Sequence, residues 1–143
     1  MDNHLFVTHK CMKALTISFS DVTEKDYKQF DERTRLKVTL FSKKHADNII
    51  TFLNDLDAIE ILVVHCAAGI SRSGAVGLFA CRYFNNDEST FKSNNLRIHP
   101  NHFILEVLNE VSGIKDDYMT FWVDYFDKNE RMRSQQYFNF KNL

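Results

Sequence analysis

Residues 65–74 read His-Cys-Ala-Ala-Gly-Ile-Ser-Arg-Ser-Gly, which sets a cysteine and an arginine six positions apart across a run of small residues. A short apolar segment precedes the run and a helical pattern follows it, so the stretch reads as a loop between a buried strand and a helix. Such a loop makes an anion cradle: successive backbone N–H groups turn inward, and the first helical turn adds its unpaired donors and positive dipole end. A thiol placed there is favoured as thiolate, so Cys66 becomes a nucleophile at neutral pH. The planar fork of Arg72 can hold two phosphoryl oxygens at once and fix a phosphorus over the Cys66 sulfur. Gly69 allows the tight backbone path. The Ser73 hydroxyl can donate to the sulfur and ease its departure when a phospho-cysteine is hydrolysed. His65 has a weaker case, because a histidine at a strand end is more often structural, and its expected role is to orient the loop.

The elements that must hold this loop can be read on either side of it. ALTISFS at 14–20 reads as a strand, followed from Asp21 by a long polar surface loop, and RLKVTL at 35–40 reads as a further extended segment. Ser42 is placed to cap a helix that buries Ala46, Ile49, Ile50 and Leu53 and ends near Asp55. IEILVVH at 59–65 has the unbroken apolar run of a central strand covered on both faces. Strand, helix, strand in that order implies a right-handed crossover and a parallel pair, with the loop at the carboxyl end of the sheet. A helix starts near Ser73, and another runs from Pro100 to Val111 with Ile104, Val107, Leu108 and Val111 on one face and Gly113 just past its end. The expected fold is therefore α/β, a small parallel-centred sheet flanked by helices. Tyr118, Met119, Trp122, Tyr125 and Phe126 fall at helical spacing in 115–127, which is read as packing against the core or a partner chain.

Composition narrows the function classes. A chain of 143 residues with 44% apolar, 13% aromatic and 26% charged residues is expected to form one globular domain, 1–143, with its core at about 14–112 and an aromatic helix and tail at 115–143. Eighteen Lys plus Arg against nineteen Asp plus Glu leave a net charge of −1, so neither nucleic acid nor an acidic membrane is an expected partner. No run reaches membrane-spanning length and MDNHLFVTHK lacks a signal-peptide core, so a cytoplasmic location is expected. Cys11, Cys66 and Cys81 form neither a disulfide framework nor a zinc knuckle, which fits a reducing compartment. His4, His9 and Cys11, like His99 and His102, lack the number and spacing of a zinc site, so no metal and no cofactor is expected. Cys81 reads as a core residue.

His65-Cys66-x-x-Gly69-x-x-Arg72-Ser73-Gly74 resembles the phosphate-binding signature of the cysteine-dependent protein tyrosine and dual-specificity phosphatases, most closely the small dual-specificity ones. The likeness extends from about Ala14 to Val111, because IHPN at 98–101 before an apolar helix is also similar. The resemblance implies a metal-independent, two-step hydrolysis of a phosphate monoester through a cysteinyl-phosphate. It implies Cys66 as nucleophile, Arg72 as phosphate clamp, and the backbone of Ala67, Ala68, Gly69, Ile70, Ser71 and Arg72 as the cradle.

The family also uses an Asp on a mobile loop as general acid. Asp21, Asp26 and Asp31 all lie on the polar loop after ALTISFS. Asp21 follows the strand directly, as the family's acid does, although 45 residues separate it from Cys66; Asp31, at 35 residues, has the more usual interval. Asp21 is favoured, Asp31 is next, and solvated loop carboxylates are the plain alternative. Only about thirteen residues precede ALTISFS, with HLFVT the sole further strand candidate, so the sheet is expected to be unusually small.

Ala67, Ala68, Ile70 and Ser71 bring no Lys or Arg to the loop, which counts against a phosphoinositide substrate. A phosphorylated protein is the expected substrate, with phosphotyrosine first and phosphoserine or phosphothreonine open. The alternative is a phosphopeptide-binding module without useful turnover. The oligomeric state is left open, a dimer included. A low-pKa Cys66 is also expected to oxidise reversibly, and activity unchanged by peroxide would remove that reading.

Overall fold

A computed structural model describes residues 13–56 and 61–114 of the chain. Ile114 apart, these belong to a compact unit that ends at Gly113. Among the described residues six helices follow one another: α1 (Glu24–Gln29), α2 (Glu32–Arg35), α3 (Lys43–Asn54), α4 (Arg72–Tyr83), α5 (Glu88–Asn94) and α6 (His102–Ser112). The expected α/β architecture does not form: among the described residues there is no strand and no sheet.

The reason lies in how the extended segments are partnered. The runs at 14–20 and 35–40 do meet, at Ser20 and Thr39, where the Ser20 N–H donates to the Thr39 carbonyl at 2.8 Å. The Thr39 N–H then turns to the Ser20 hydroxyl at 3.1 Å instead of to its carbonyl, so the contact stops short of a ladder. Residues 61–66 take no regular secondary structure, with Leu62, Val64 and Cys66 half-buried and Ile61 and Val63 turned out, 80% and 71% exposed. A central strand covered on both faces is excluded by that alternation. Leu62 and Val64 border a cavity of about 480 Å³ shared with Ser73, Cys81, Phe91 and Asn95.

The core is helical. α6 packs against α3 and α4, and α5 against α4. The buried residues are Ala46, Ile49 and Leu53 on α3, Ala75, Leu78, Phe79 and Ala80 on α4, and Ile104, Leu105, Val107 and Leu108 on α6, the helix that joins the other two. Each fully buried Leu, Ile or Phe side chain contributes roughly 1.5–3 kcal/mol, and Phe41, Leu78, Phe79, Ile104 and Leu108 are of that kind. α3 runs between Ser42 at its N-cap and Asp55 at its C-cap, as the spacing indicates, except that Ile50 is only half-buried. α6 starts two residues after Pro100, is capped by Asn101 and stops at the left-handed Gly113; Leu105 joins its buried face while Val111 is half-buried.

The polar stretch read as a loop holds α1 and α2. Neither buries a residue, and each depends on its cap: Thr23 and Asp26 form a reciprocal capping box on α1, and Asp31 accepts from the Thr34 N–H at 2.7 Å on α2. α5 is likewise capped by Asp87. Among the described residues no helix is long and apolar enough to cross a membrane. The helix expected at 115–127, with Tyr118, Met119, Trp122, Tyr125 and Phe126, lies outside the described residues, as do the segment HLFVT, His4, His9 and Cys11.

Candidate active site

Cys66 closes the segment 61–66, and residues 67–71 carry the chain into α4. Gly69 adopts φ +68°, a left-handed conformation that a side chain disfavours, and this turn brings the following amides round toward the sulfur. The loop is tied from behind: the His99 N–H donates to the Ile70 carbonyl at 3.0 Å and the Asn101 N–H to the Ser71 carbonyl at 3.2 Å. Close packing of α4 on the same segment depends on Gly74, where a Cβ would come 3.3 Å from Ile98 Cβ and 3.5 Å from Pro100. IHPN is thus the backing of the loop.

Cys66 Sγ lies 3.3 Å from Ser73 Oγ. In the thiol form the S–H donates across this contact; in the thiolate form the hydroxyl donates. Burial pushes the thiol pKa up, but the Ser73 hydroxyl and the backbone N–H groups of Ser73, Gly69 and Ile70 outweigh it, and the pKa is lowered from 9.0 to about 7. The thiolate, the reactive form, is thereby favoured near neutral pH.

Arg72 opens α4. Its Nη1 donates to the Phe19 carbonyl at 2.9 Å. Its Nε is buried and has no hydrogen-bond partner among the described residues. One prong of the fork is therefore anchored on the backbone, while other guanidinium N–H groups are the donors that a phosphoryl group could take. Phe19 is itself held by an edge-on contact with the fully buried Phe41, centroids 4.7 Å apart. The run read as a strand thus serves as an anchor for the arginine.

The three candidate carboxylates separate clearly. Asp21 Oδ1 accepts from the Ser71 hydroxyl at 2.8 Å and from Asn101 Nδ2 at 2.9 Å, which places this carboxylate on the rim of the loop. Asp26 is engaged with the Thr23 hydroxyl and N–H, which hold its pKa below the ordinary value. Asp31 is held low in the same way by Thr34. Both serve as helix caps, and a carboxyl stabilised as its anion is a poor proton donor.

Ala67, Ala68 and Gly69 are exposed and Ile70 and Ser71 half-buried, so the loop is open to solvent; His65 is exposed beside it. Cys81 is the contrasting thiol, 8% exposed, its S–H on the Asn86 carbonyl at 3.5 Å. The pattern of residue types had not singled out Asn101, nor the Phe19 carbonyl. An Asn directly after Pro and before an apolar helix is an N-cap signature that would have marked Asn101. Among the described residues no group of three or more His, Cys, Asp or Glu is placed to hold a metal ion.

In comparisons with known proteins, no family model, no curated protein and no solved structure matches the chain.

Proposed function

We propose that this protein is a cysteine-dependent phosphatase that hydrolyses phosphate monoesters on proteins, phosphotyrosine first, without metal or cofactor. The observation that carries the reading is the convergence of the Ser73 hydroxyl and the Gly69, Ile70 and Ser73 amides on Cys66, in the loop whose next helix opens with Arg72. The resemblance of residues 65–74 to the phosphatase signature supports the same assignment.

In the first step the Cys66 thiolate attacks phosphorus, an S–P bond forms, and the ester P–O bond breaks. Its electron pair goes to the leaving oxygen, which takes a proton from Asp21. Arg72 and the amides of Ala67 to Arg72 hold the three remaining phosphoryl oxygens and meet their charge. In the second step water attacks phosphorus and gives its proton to Asp21. The P–S bond breaks, and the electron pair returns to a sulfur steadied by Ser73. The products are inorganic phosphate and the free hydroxyl side chain. An enzyme working through a free thiolate needs a reducing environment, and the cytoplasm is the proposed location.

The test is phosphate release from matched phosphotyrosine, phosphoserine and phosphothreonine peptides in the absence of metal. Turnover on phosphotyrosine that disappears in Cys66→Ser is the expected result. Peptide binding without phosphate release would replace the reading by that of a phosphopeptide-binding module.

A further inference from the structure

Asn101 is buried, 8% exposed, and every polar atom of its side chain is engaged. Oδ1 accepts from the backbone N–H groups of Phe103 and Ile104 at 3.1 and 3.3 Å, which caps α6. Backbone N–H groups can only donate, so the amide orientation is fixed by chemistry, and Nδ2 must face the other way. There it donates to Asp21 Oδ1 at 2.9 Å and to the Val22 carbonyl at 3.4 Å. The same residue's main-chain N–H holds the Ser71 carbonyl. One residue, by its side chain and its main-chain N–H, therefore links three parts distant in sequence: the carboxylate at 21, the phosphate-loop residue at 71 and the start of α6.

We infer that Asn101 is the positioning residue of the general acid: with Ser71 it occupies Asp21 Oδ1 and so confines the transferable proton to Oδ2. The inference rests on the phosphatase reading and deepens it. Oδ1 receives two donors, the Ser71 hydroxyl and the Asn101 amide, and its two lone pairs are engaged. A proton on Oδ1 would oppose both. A proton on Oδ2 opposes neither, and Oδ1 accepts the same two bonds whether it belongs to the neutral acid or to the carboxylate. The contacts thus survive proton delivery to the leaving oxygen and proton uptake from water, and the two oxygens of Asp21 stop being equivalent. Asn101 acts through Asp21 and not on substrate.

The variant that isolates this function is Asn101→Ser, because serine still caps a helix but has no amide to offer Asp21. General acid catalysis matters most when the leaving oxygen is strongly basic, so the readout is kcat/KM on a pair of aryl phosphates, phenyl phosphate and 2,4-dinitrophenyl phosphate. Asn101→Ser is expected to lower the phenyl phosphate value by about tenfold or more while changing the dinitrophenyl value less than about twofold. Asn101→Asp, which also caps α6 but sets an acceptor against Asp21, is expected to show the same selective loss and keeps the test alive if the serine variant does not fold. Equal losses on both esters, or none on either, would overturn the inference. If Asp21→Asn shows the selective loss and neither Asn101 variant does, the phosphatase reading stands and the assignment of Asn101 falls. If the wild type and Cys66→Ser are equally inert on both esters, the two fall together.

Discussion

Cys66 and Cys81 bracket α4, one six residues before its first residue and the other in its last turns, and their surroundings are opposite in kind. Around Cys66 stand donors: a hydroxyl and three backbone N–H groups, which lower the pKa to about 7 against the effect of burial. Around Cys81 burial raises the pKa, the Glu88 and Asp87 carboxylates raise it further, and Arg82 opposes them only in part. Arg82 is itself engaged with Glu88 at 2.6 Å, so its charge is shared. Neither thiol differs in intrinsic chemistry. The helix presents unpaired N–H groups and positive potential at one end and carbonyls at the other, and placement alone favours the thiolate at one sulfur and the thiol at the other.

The comparison can be broken most sharply at the sulfur atoms. Cys66→Ser is expected to lower phosphate release by roughly 10⁴-fold or more, since an unactivated hydroxyl replaces a thiolate. Cys81→Ala should leave kcat within about twofold and cost about 1 kcal/mol in thermal or denaturant unfolding, the consequence of a small cavity. Loss of turnover in the second variant, or its survival in the first, would erase the distinction.

Next in size is the arginine that opens the helix. Arg72→Lys keeps the charge but removes the planar fork and the bond to Phe19, so kcat/KM on a phosphotyrosine peptide should fall by about 10²–10³-fold. A fall of less than about threefold would reduce Arg72 to a source of positive potential.

The carboxylates follow. Asp21→Asn should lower kcat on phosphotyrosine by about 10²-fold. Asp26→Ala and Asp31→Ala should leave kcat unchanged and lower only the melting temperature, because these side chains cap α1 and α2. An inverted order would move the acid to a cap residue.

The smallest expected effect sharpens the comparison without abolishing activity. Iodoacetamide alkylates the thiolate, so the rate at Cys66 should rise as the pH passes about 7, while Cys81 should react only above the ordinary thiol pKa of 9.0. Ser73→Ala removes the hydroxyl that favours the thiolate and should move the Cys66 midpoint upward, toward 9.0, with no change at Cys81. Peptide mapping of the alkylated sites over pH 6–10 reads all three.

Local pattern was enough for the parts of this molecule that are local. α3, α4 and α6 follow from apolar spacing and end signals, and the relation of Cys66, Ser73 and Arg72 follows from their falling within one loop and one helical turn. α1, α2 and α5 bury nothing, so no periodicity announces them, and the Thr and Asp residues that cap them are equally at home in loops. The apolar run at 59–65 signals a strand that does not form over 61–65, because sheet formation depends on a neighbour's backbone and no residue type in the run specifies one. Asp21 could be favoured from its place after ALTISFS. Its bonds to Ser71 and Asn101 span 50 and 80 residues, a relation that only the folded chain expresses.

The ties behind the loop carry one more consequence. The Ile70 carbonyl is engaged by the His99 N–H, and the Ser71 carbonyl by both the Ala75 and Asn101 N–H groups, at 2.9 and 3.2 Å. With these two carbonyls engaged within the protein, the repulsion they would offer an oxyanion at the loop is reduced. On the phosphatase reading, the fully ionised form of a phosphate ester is the one the loop's N–H donors suit best, and the acidity of the surroundings would set how much of that form is on offer.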